Sequence, residues 1–221
     1  MATEYHRIAG ISLERLAALS DGIFAVAMTL LVLELRVPAI TAAHVQRPLW
    51  AGGTLHSEQA LWRALGALAP RLLTYFMSFL TLGIFWVGQQ TQLNHFARSD
   101  RNLTWIHLLF LLAVSVMPFS TGLLAEFITY RLALLVYWCN LLLLGAVLFA
   151  SLRYAEHAGL LKPDAGRELR AASVRRIVVY QALYALGLLL CVVTTYVSIV
   201  FIVLVQLNAA VAPRIRPLDR F

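Results

Sequence analysis

Apolar stretches of about 20 residues recur along this chain, and they constrain its fold more than any other feature. Each stretch is long enough for an α-helix to cross the roughly 30 Å hydrocarbon core of a bilayer. Hydrophobic residues make up 61% of the chain and charged residues only 13%, too few to cover the surface of a water-soluble domain. The sequence therefore predicts an all-α membrane protein that crosses the bilayer several times.

Hydropathy and helix-breaking residues predict six transmembrane helices in a single domain over residues 1–221. The expected spans are 13–37, 70–93, 103–127, 131–155, 175–194 and 197–212. Pro118 predicts a kink or break in the third span, where a nearby hydroxyl is expected to bond the freed carbonyl. Residues 38–67 are expected to form a loop ending in a short interfacial helix, and 156–174 a charged soluble loop.

The distribution of charge predicts how the chain is oriented. If the N-terminus is cytoplasmic, 13 of the 18 Lys and Arg residues fall on the inner side, which favours a multi-pass protein of the cell membrane with both termini cytoplasmic. The net charge of +7 is better explained by this bias and by anionic lipid than by nucleic acid. The polar N-terminal residues do not follow the pattern of a cleaved signal peptide, so the first span is expected to remain in the membrane.

The first span, RLAALSDGIFAVAMTLLVLELRVP, carries an acidic residue, Asp21, at membrane depth. A carboxylate there costs at least roughly 2.5 kcal/mol, which indicates a role in function or assembly. At about 100° per residue, Asp21 lies about 140° from Val26, so it is expected to contact neighbouring helices. Its candidate hydrogen-bond partners are Arg15, Ser20, Trp86, Gln89 and Gln90. On the other side of the helix, side chains that point in one direction are predicted to form a single stripe. The stripe consists of Gly22, Val26, Thr29, Leu30 and Leu33.

Sequence motifs of common enzymes are missing: the chain has no Walker loop, GxSxG, HExxH or dinucleotide-binding glycine fingerprint. The chain is therefore not expected to be an enzyme or to hold a metal or cofactor. His107 is the only histidine at membrane depth, and it is expected either to bond a neighbouring helix or to respond to pH. Cys139 and Cys191 lie in separate spans and are expected to be inert.

Several motifs resemble those of the endosomal and lysosomal potassium channel family, transmembrane protein 175, and especially of its bacterial members. The signature of that family is an arginine followed by Phe-Ser-Asp. Here Arg15, Ser20 and Asp21 match it, with Leu19 at the phenylalanine position. Further similarities are the segments FW at 85–86, SDR at 99–101, PFSTGLLAEF at 118–127 and YW at 137–138. A departure is the pair Gln89 and Gln90, where bacterial members often carry two histidines.

The resemblance implies a homotetramer whose first helices line a central pore for potassium, without a TVGYG-type filter. It places the hydrophobic constriction on Val26, with further apolar layers at Leu30 and Leu33. It assigns Thr29 to a layer that contributes to selectivity. Potassium would then be the permeant ion and no cofactor would be needed. Arg15, Ser20 and Asp21 would fix the helix, with Trp86, Gln89 and Gln90 as partners of this motif.

Two other functions compete with the channel. A secondary transporter would use Asp21 as a proton or cation site, although the chain lacks the inverted halves typical of that class. A membrane-embedded enzyme would have to use Asp21, His107 and Glu126, and no spacing supports that arrangement. Saturable, counter-ion-coupled uptake would favour the transporter, whereas unitary currents would exclude it.

Overall fold

The computed structural model describes residues 12–38, 50, 58–163 and 167–211, and this part of the chain is almost entirely helical. Its seven α-helices are α1 Leu13–Val32, α2 Gln59–Gly66, α3 Ala69–His95, α4 Arg101–Glu126, α5 Arg131–His157, α6 Arg167–Leu189 and α7 Thr195–Val211. A single 3₁₀ turn, Leu190–Val192, joins the last two. The predicted all-α fold is confirmed.

Local sequence explains where the helices begin and end. The Ser12 hydroxyl accepts a hydrogen bond from the backbone N–H of Arg15, and Asp100 does the same for Leu103, so α1 and α4 start at capped ends. Gly159 follows α5 with φ 64°, a conformation that favours glycine. The next residues run back along the α3–α4 link, where the Ala97 N–H donates to the Leu160 carbonyl at 2.8 Å.

The first helix is shorter than predicted: it ends at Val32, and Leu33 to Leu35 form a turn. Leu33, Leu35 and Val37 alternate with the charged Glu34 and Arg36, so apolar residues continue past this end and the prediction ran too far. Beyond it, Glu34 turns toward α4, where a Cβ at Gly122 would lie 2.6 Å from the Glu34 carboxylate. The lack of a side chain at Gly122 leaves room for that carboxylate.

The charged loop predicted over 156–174 is also shorter, because α5 extends to His157 and α6 already begins at Arg167. Charged residues continue a helix readily at its ends, so charge alone did not mark a loop. The 59–66 helix matches the short helix predicted there. The loop residues 39–49 and 51–57, and the basic residues Arg7, Arg47, Arg214, Arg216 and Arg220, lie outside the described residues.

The core is built around α4, which packs against α1, α3 and α5. Buried side chains such as Phe24, Met77, Phe110 and Leu144 fill the space between these helices. Helix α6 packs on α5 and α7, and α7 returns to α3. Pro118 does not break α4, and the hydroxyls of Ser120 and Thr121 bond the Met117 carbonyl rather than the carbonyl that Pro118 frees.

Polar side chains inside this core bond one another. The Gln206 amide on α7 donates to the Thr81 hydroxyl at 2.6 Å, and the Tyr137 hydroxyl lies 3.0 Å from Thr81. The Thr121 and Ser78 hydroxyl oxygens lie 2.7 Å apart. These bonds join α3, α4, α5 and α7, and in hydrocarbon such contacts replace the water that would otherwise satisfy the hydroxyls.

Five helical segments in the described residues are long and apolar enough to cross a membrane: Leu13–Val32, Ala69–His95, Arg101–Glu126, Arg131–His157 and Ala171–Val192. The 17-residue α7, Thr195–Val211, is a shorter apolar helix. The chain is thus a multi-pass membrane protein by the length and composition of its helices.

Candidate functional site on the first helix

Helix α1 has one face in the core and one face uncovered. Its buried residues recur at intervals of three and four, which is the period of one helix face: Leu16, Ser20, Phe24, Ala27 and Leu31. They pack on α3 and α4. The side of α1 that faces away from these helices carries the predicted stripe.

The stripe is exposed along its whole length. Val26 is 57% exposed, Leu30 42% and Leu33 68%, and Gly22 and Thr29 are exposed as well. Beside the stripe lies an apolar groove of about 580 Å³, whose second wall comes from α4 at Leu108, Leu111, Leu112 and Ser115. Within the described residues no helix covers these side chains, so a large apolar surface remains for a further contact.

Thr29 is the polar member of the stripe. Its hydroxyl donates a 2.8 Å hydrogen bond to the Val26 carbonyl one turn earlier. Because its single proton is used within the helix, the hydroxyl oxygen presents its remaining lone-pair capacity to the exposed side. An oxygen with free lone pairs can coordinate a cation.

Asp21 is held from α3. Both the Trp86 indole N–H, at 2.8 Å, and the Gln90 amide, at 2.7 Å, donate to its Oδ1. Hydrogen bonds to a carboxylate are stronger than those between neutral groups. The structure therefore brings Asp21 together with two of its predicted partners, and these contacts join α1 to α3.

Ser20, the other half of the motif, faces the core. Its hydroxyl donates to the Leu16 carbonyl at 2.8 Å and accepts from the Gln89 amide at 2.8 Å. Arg15 is different, since its guanidinium makes no recorded hydrogen bond or ion pair with any described residue. Among the partners predicted for Asp21, the structure thus selects Trp86 and Gln90, and it assigns Gln89 to Ser20.

A buried histidine extends this network. His107 on α4 lies 3.5 Å from the Gln89 amide through Nδ1 and 3.1 Å from the Ser151 hydroxyl through Nε2. The predicted contact between helices is confirmed, and it links α1, α3, α4 and α5. Sequence reasoning missed Ser151, whose only signal was a small polar residue within a largely apolar span.

The residues proposed for an enzyme are not brought together. Glu126 ends α4 and pairs with Arg71 at 2.6 Å, whereas His107 lies 19 residues earlier, roughly 28 Å along the same helix. No group of three His, Cys, Asp or Glu side chains that could hold a metal ion occurs in the described part of the chain. Cys139 and Cys191 are free thiols.

Comparison with known proteins finds similar sequences over the first half of this chain. The model of the family described as endosomal/lysosomal potassium channel TMEM175 matches residues 15–118, from α1 into α4. A potassium channel of Streptomyces collinus is 40% identical over 114 residues, which are 52% of this chain and 48% of that protein. An endosomal/lysosomal proton channel TMEM175 of Gallus gallus is 31% identical over 117 residues, 53% of this chain and 22% of that protein. The chain thus spans about half the length of the bacterial relative and less of the vertebrate one.

The fold can be compared over a longer range. The crystal structure of a lysosomal potassium-selective channel TMEM175 homolog from Chamaesiphon minutus superposes with a TM-score of 0.73 at 25% identity, covering 92% of this chain and 98% of that one. The similarity therefore continues through α5, α6 and α7, beyond the stretch that the family model matches. From Arg15 to Pro118 by sequence, and over most of its length by fold, the chain is similar to the TMEM175 channel family.

Proposed function

We propose that this protein is a potassium-permeable cation channel in which four copies of α1 line a central pore. The observation that carries the proposal is the uncovered stripe of α1, which holds Val26, Thr29, Leu30 and Leu33 while the other side of the helix is tied to α3. A membrane helix that is rigidly anchored on one side and unpacked on the other is suited to line a path shared by several copies.

The apolar residues supply the barrier to ions. A ring of Val26 side chains, followed by rings of Leu30 and Leu33, would form a narrow hydrophobic constriction, and such constrictions block ions by expelling water. Conduction would require the ring to widen enough for a partly hydrated ion. Asp21 would not face the ion path, because its Oδ1 accepts two hydrogen bonds from α3.

Selectivity would come from Thr29. Its oxygen lies on the exposed side of α1, one turn after Val26, and could replace part of the hydration shell of potassium. The sequence contains no TVGYG segment. Because one hydroxyl per copy offers fewer ligands than a stack of carbonyls, the preference for potassium over sodium should be modest.

The proposed subunit crosses the cell membrane six times. The 17 residues of α7 extend about 25 Å, close to the thickness of the hydrocarbon core, and α7 packs on α3 and α6. The links α3–α4 and α5–α6 pair with each other at one end of the molecule, which also carries the start of α1. This end would be cytoplasmic, as the distribution of Lys and Arg favours, and both termini would lie there.

Planar-bilayer recording of the purified protein tests the function. Under opposed potassium and sodium gradients, unitary currents that reverse toward the potassium equilibrium potential are expected. The same recording under a proton gradient tests whether protons also pass, because the vertebrate relative is named a proton channel. Saturable uptake without unitary currents would instead support a transporter that uses Asp21. Native mass measurement should give four copies per particle.

A further inference from the structure

A second cavity lies away from the stripe, between α3, α5 and α6. Its volume is about 100 Å³, and most of its wall is apolar, with Phe85, Leu148 and Ile177 among the lining residues. A single water needs only about 10–15 Å³ of such space, so the cavity can hold several waters or a small polar group. It has room for a ligand.

Two glutamines present unpartnered oxygens at this cavity. The amide nitrogen of Gln92 donates to the Leu148 carbonyl, and that of Gln181 donates to the Leu141 carbonyl, both at 3.1 Å. These bonds fix the amide orientation, so each Oε1 is left as an acceptor, and neither has a partner among the described residues. Gly145 allows this approach, because a Cβ there would overlap the Gln181 amide.

The third polar group is the hydroxyl of Tyr184, which is also buried without a partner in the described chain. Gln92 is 4% exposed and Tyr184 1%, so bulk solvent does not satisfy them. A buried acceptor without a hydrogen bond costs free energy of folding, and here three polar oxygens line one cavity. The cavity therefore favours a ligand that carries hydrogen-bond donors.

An exposed cation stands at the rim. The Arg176 guanidinium lies over the Tyr180 ring at 6.0 Å from its centroid, and both residues line the cavity. Arg176 falls within the candidate span Ala171–Val192, and no carboxylate among the described residues pairs with it. An arginine near the end of a membrane helix extends its guanidinium toward the lipid headgroup region.

We propose that this cavity binds a phospholipid headgroup that carries hydrogen-bond donors beyond its phosphate, as phosphatidylglycerol and phosphatidylethanolamine do. The phosphate meets Arg176, and the headgroup hydroxyl or ammonium donates to the oxygens of Gln92 and Gln181. Water alone would satisfy the amide oxygens but would leave the arginine without an anion. The inference rests on the membrane location of the chain and does not depend on ion conduction.

Lipid retention by the unmodified full chain gives the main test. Native mass spectrometry would compare phosphatidylglycerol with phosphatidylmethanol, an anionic lipid with the same phosphodiester but no headgroup donor, and phosphatidylethanolamine with phosphatidylcholine. Each donor-bearing lipid is expected to be retained about tenfold more tightly than its donor-free partner. One hydrogen bond to a buried acceptor that otherwise has no partner changes the affinity by about that factor. Equal retention within both pairs overturns the proposal. Competition by soluble glycerophosphoglycerol at similar concentration would show a site for free phosphodiesters and would also overturn it.

Variants locate the site. Gln181→Leu and Gln92→Leu should each reduce the donor-bearing lipids to the level of their donor-free partners. Arg176→Gln should weaken retention of all four lipids. The matched control is Gln206→Leu, which removes another buried glutamine, outside this cavity, whose oxygen has no partner in the described part of the chain, and which should leave the preference intact. A loss of preference in the control but not in Gln181→Leu would place the lipid elsewhere.

Discussion

The indole N–H of Trp86 donates a 2.8 Å hydrogen bond to Oδ1 of Asp21, joining α3 to α1 across 65 residues of sequence. The Gln90 amide reaches the same oxygen from the next turn of α3. These two bonds lie on the side of α1 away from the stripe. The acidic residue that stands out in the sequence thus contacts α3, and the apolar residues around Val26 face away from that contact.

The Asp21–Trp86 bond should contribute measurably to stability. In a double-mutant cycle of Asp21→Ala and Trp86→Phe, read by reversible unfolding in mixed micelles, we expect a coupling energy of about 0.5–1.5 kcal/mol, the range found for polar contacts between membrane helices. The control pair is Asp21→Ala with Tyr137→Phe, whose residues belong to two separate hydrogen-bond networks. Their effects on the free energy of unfolding should therefore add to within about 0.5 kcal/mol. A coupling energy of zero for the first pair would contradict an anchoring role.

Replacing Val26 by asparagine should raise open probability or conductance, because a polar ring keeps the constriction wet. Single-channel recording measures the effect. The control is Val32→Asn, since Val32 is an exposed valine on the same helix about 120° from Val26. If both variants changed the current equally, or neither did, the constriction would have to be placed elsewhere.

Thr29→Val keeps the shape of the side chain and removes the oxygen, so it should lower the preference for potassium over sodium. Thr29→Ser keeps the oxygen and should retain the preference. Reversal potentials in mixed salts measure both effects. Thr91 is the matched control, because its hydroxyl makes the same kind of local bond, to the Val87 carbonyl, on α3. Thr91→Val should behave like the unmodified protein, and an unchanged reversal potential in Thr29→Val would remove Thr29 from the selectivity layer.

Gly187→Ala should destabilise the pairing of α6 with α7. A Cβ at Gly187 would lie 2.8 Å from Ile202 Cγ1 and 3.2 Å from Phe201 Cδ1, so the helices must move apart. Overpacking of this kind costs about 1–3 kcal/mol. Gly66→Ala is the control, because no atom of the described residues lies within 4 Å of a Cβ there. A lower thermal midpoint is expected for Gly187→Ala alone, and equal midpoints would argue against close α6–α7 packing.

The parts of this protein that depend on local composition could be predicted from its sequence. The bounds predicted from hydropathy agree with the ends of the helices to within a few residues at most positions, since long runs of apolar side chains favour helices. The prediction failed where apolar residues continue beyond the helix end, as Leu33, Leu35 and Val37 do after Val32, and where charged residues continue a helix, as in α6 from Arg167. The helical period likewise predicted the stripe and the separation of Asp21 from Val26.

Only the tertiary structure decided which groups meet. Gln89 bonds Ser20 while its neighbour Gln90 bonds Asp21, and Ser151 meets His107, because the rotation and tilt of packed helices set these distances. The same holds for the cavity between α3, α5 and α6, where Gly145 lets Gln181 approach α5 and the Gln181 amide oxygen meets no partner from the described residues. Sequence by itself determined what each helix carries on each face. Which face becomes buried, and against what, followed from contacts between residues far apart in the chain, which no local pattern encodes.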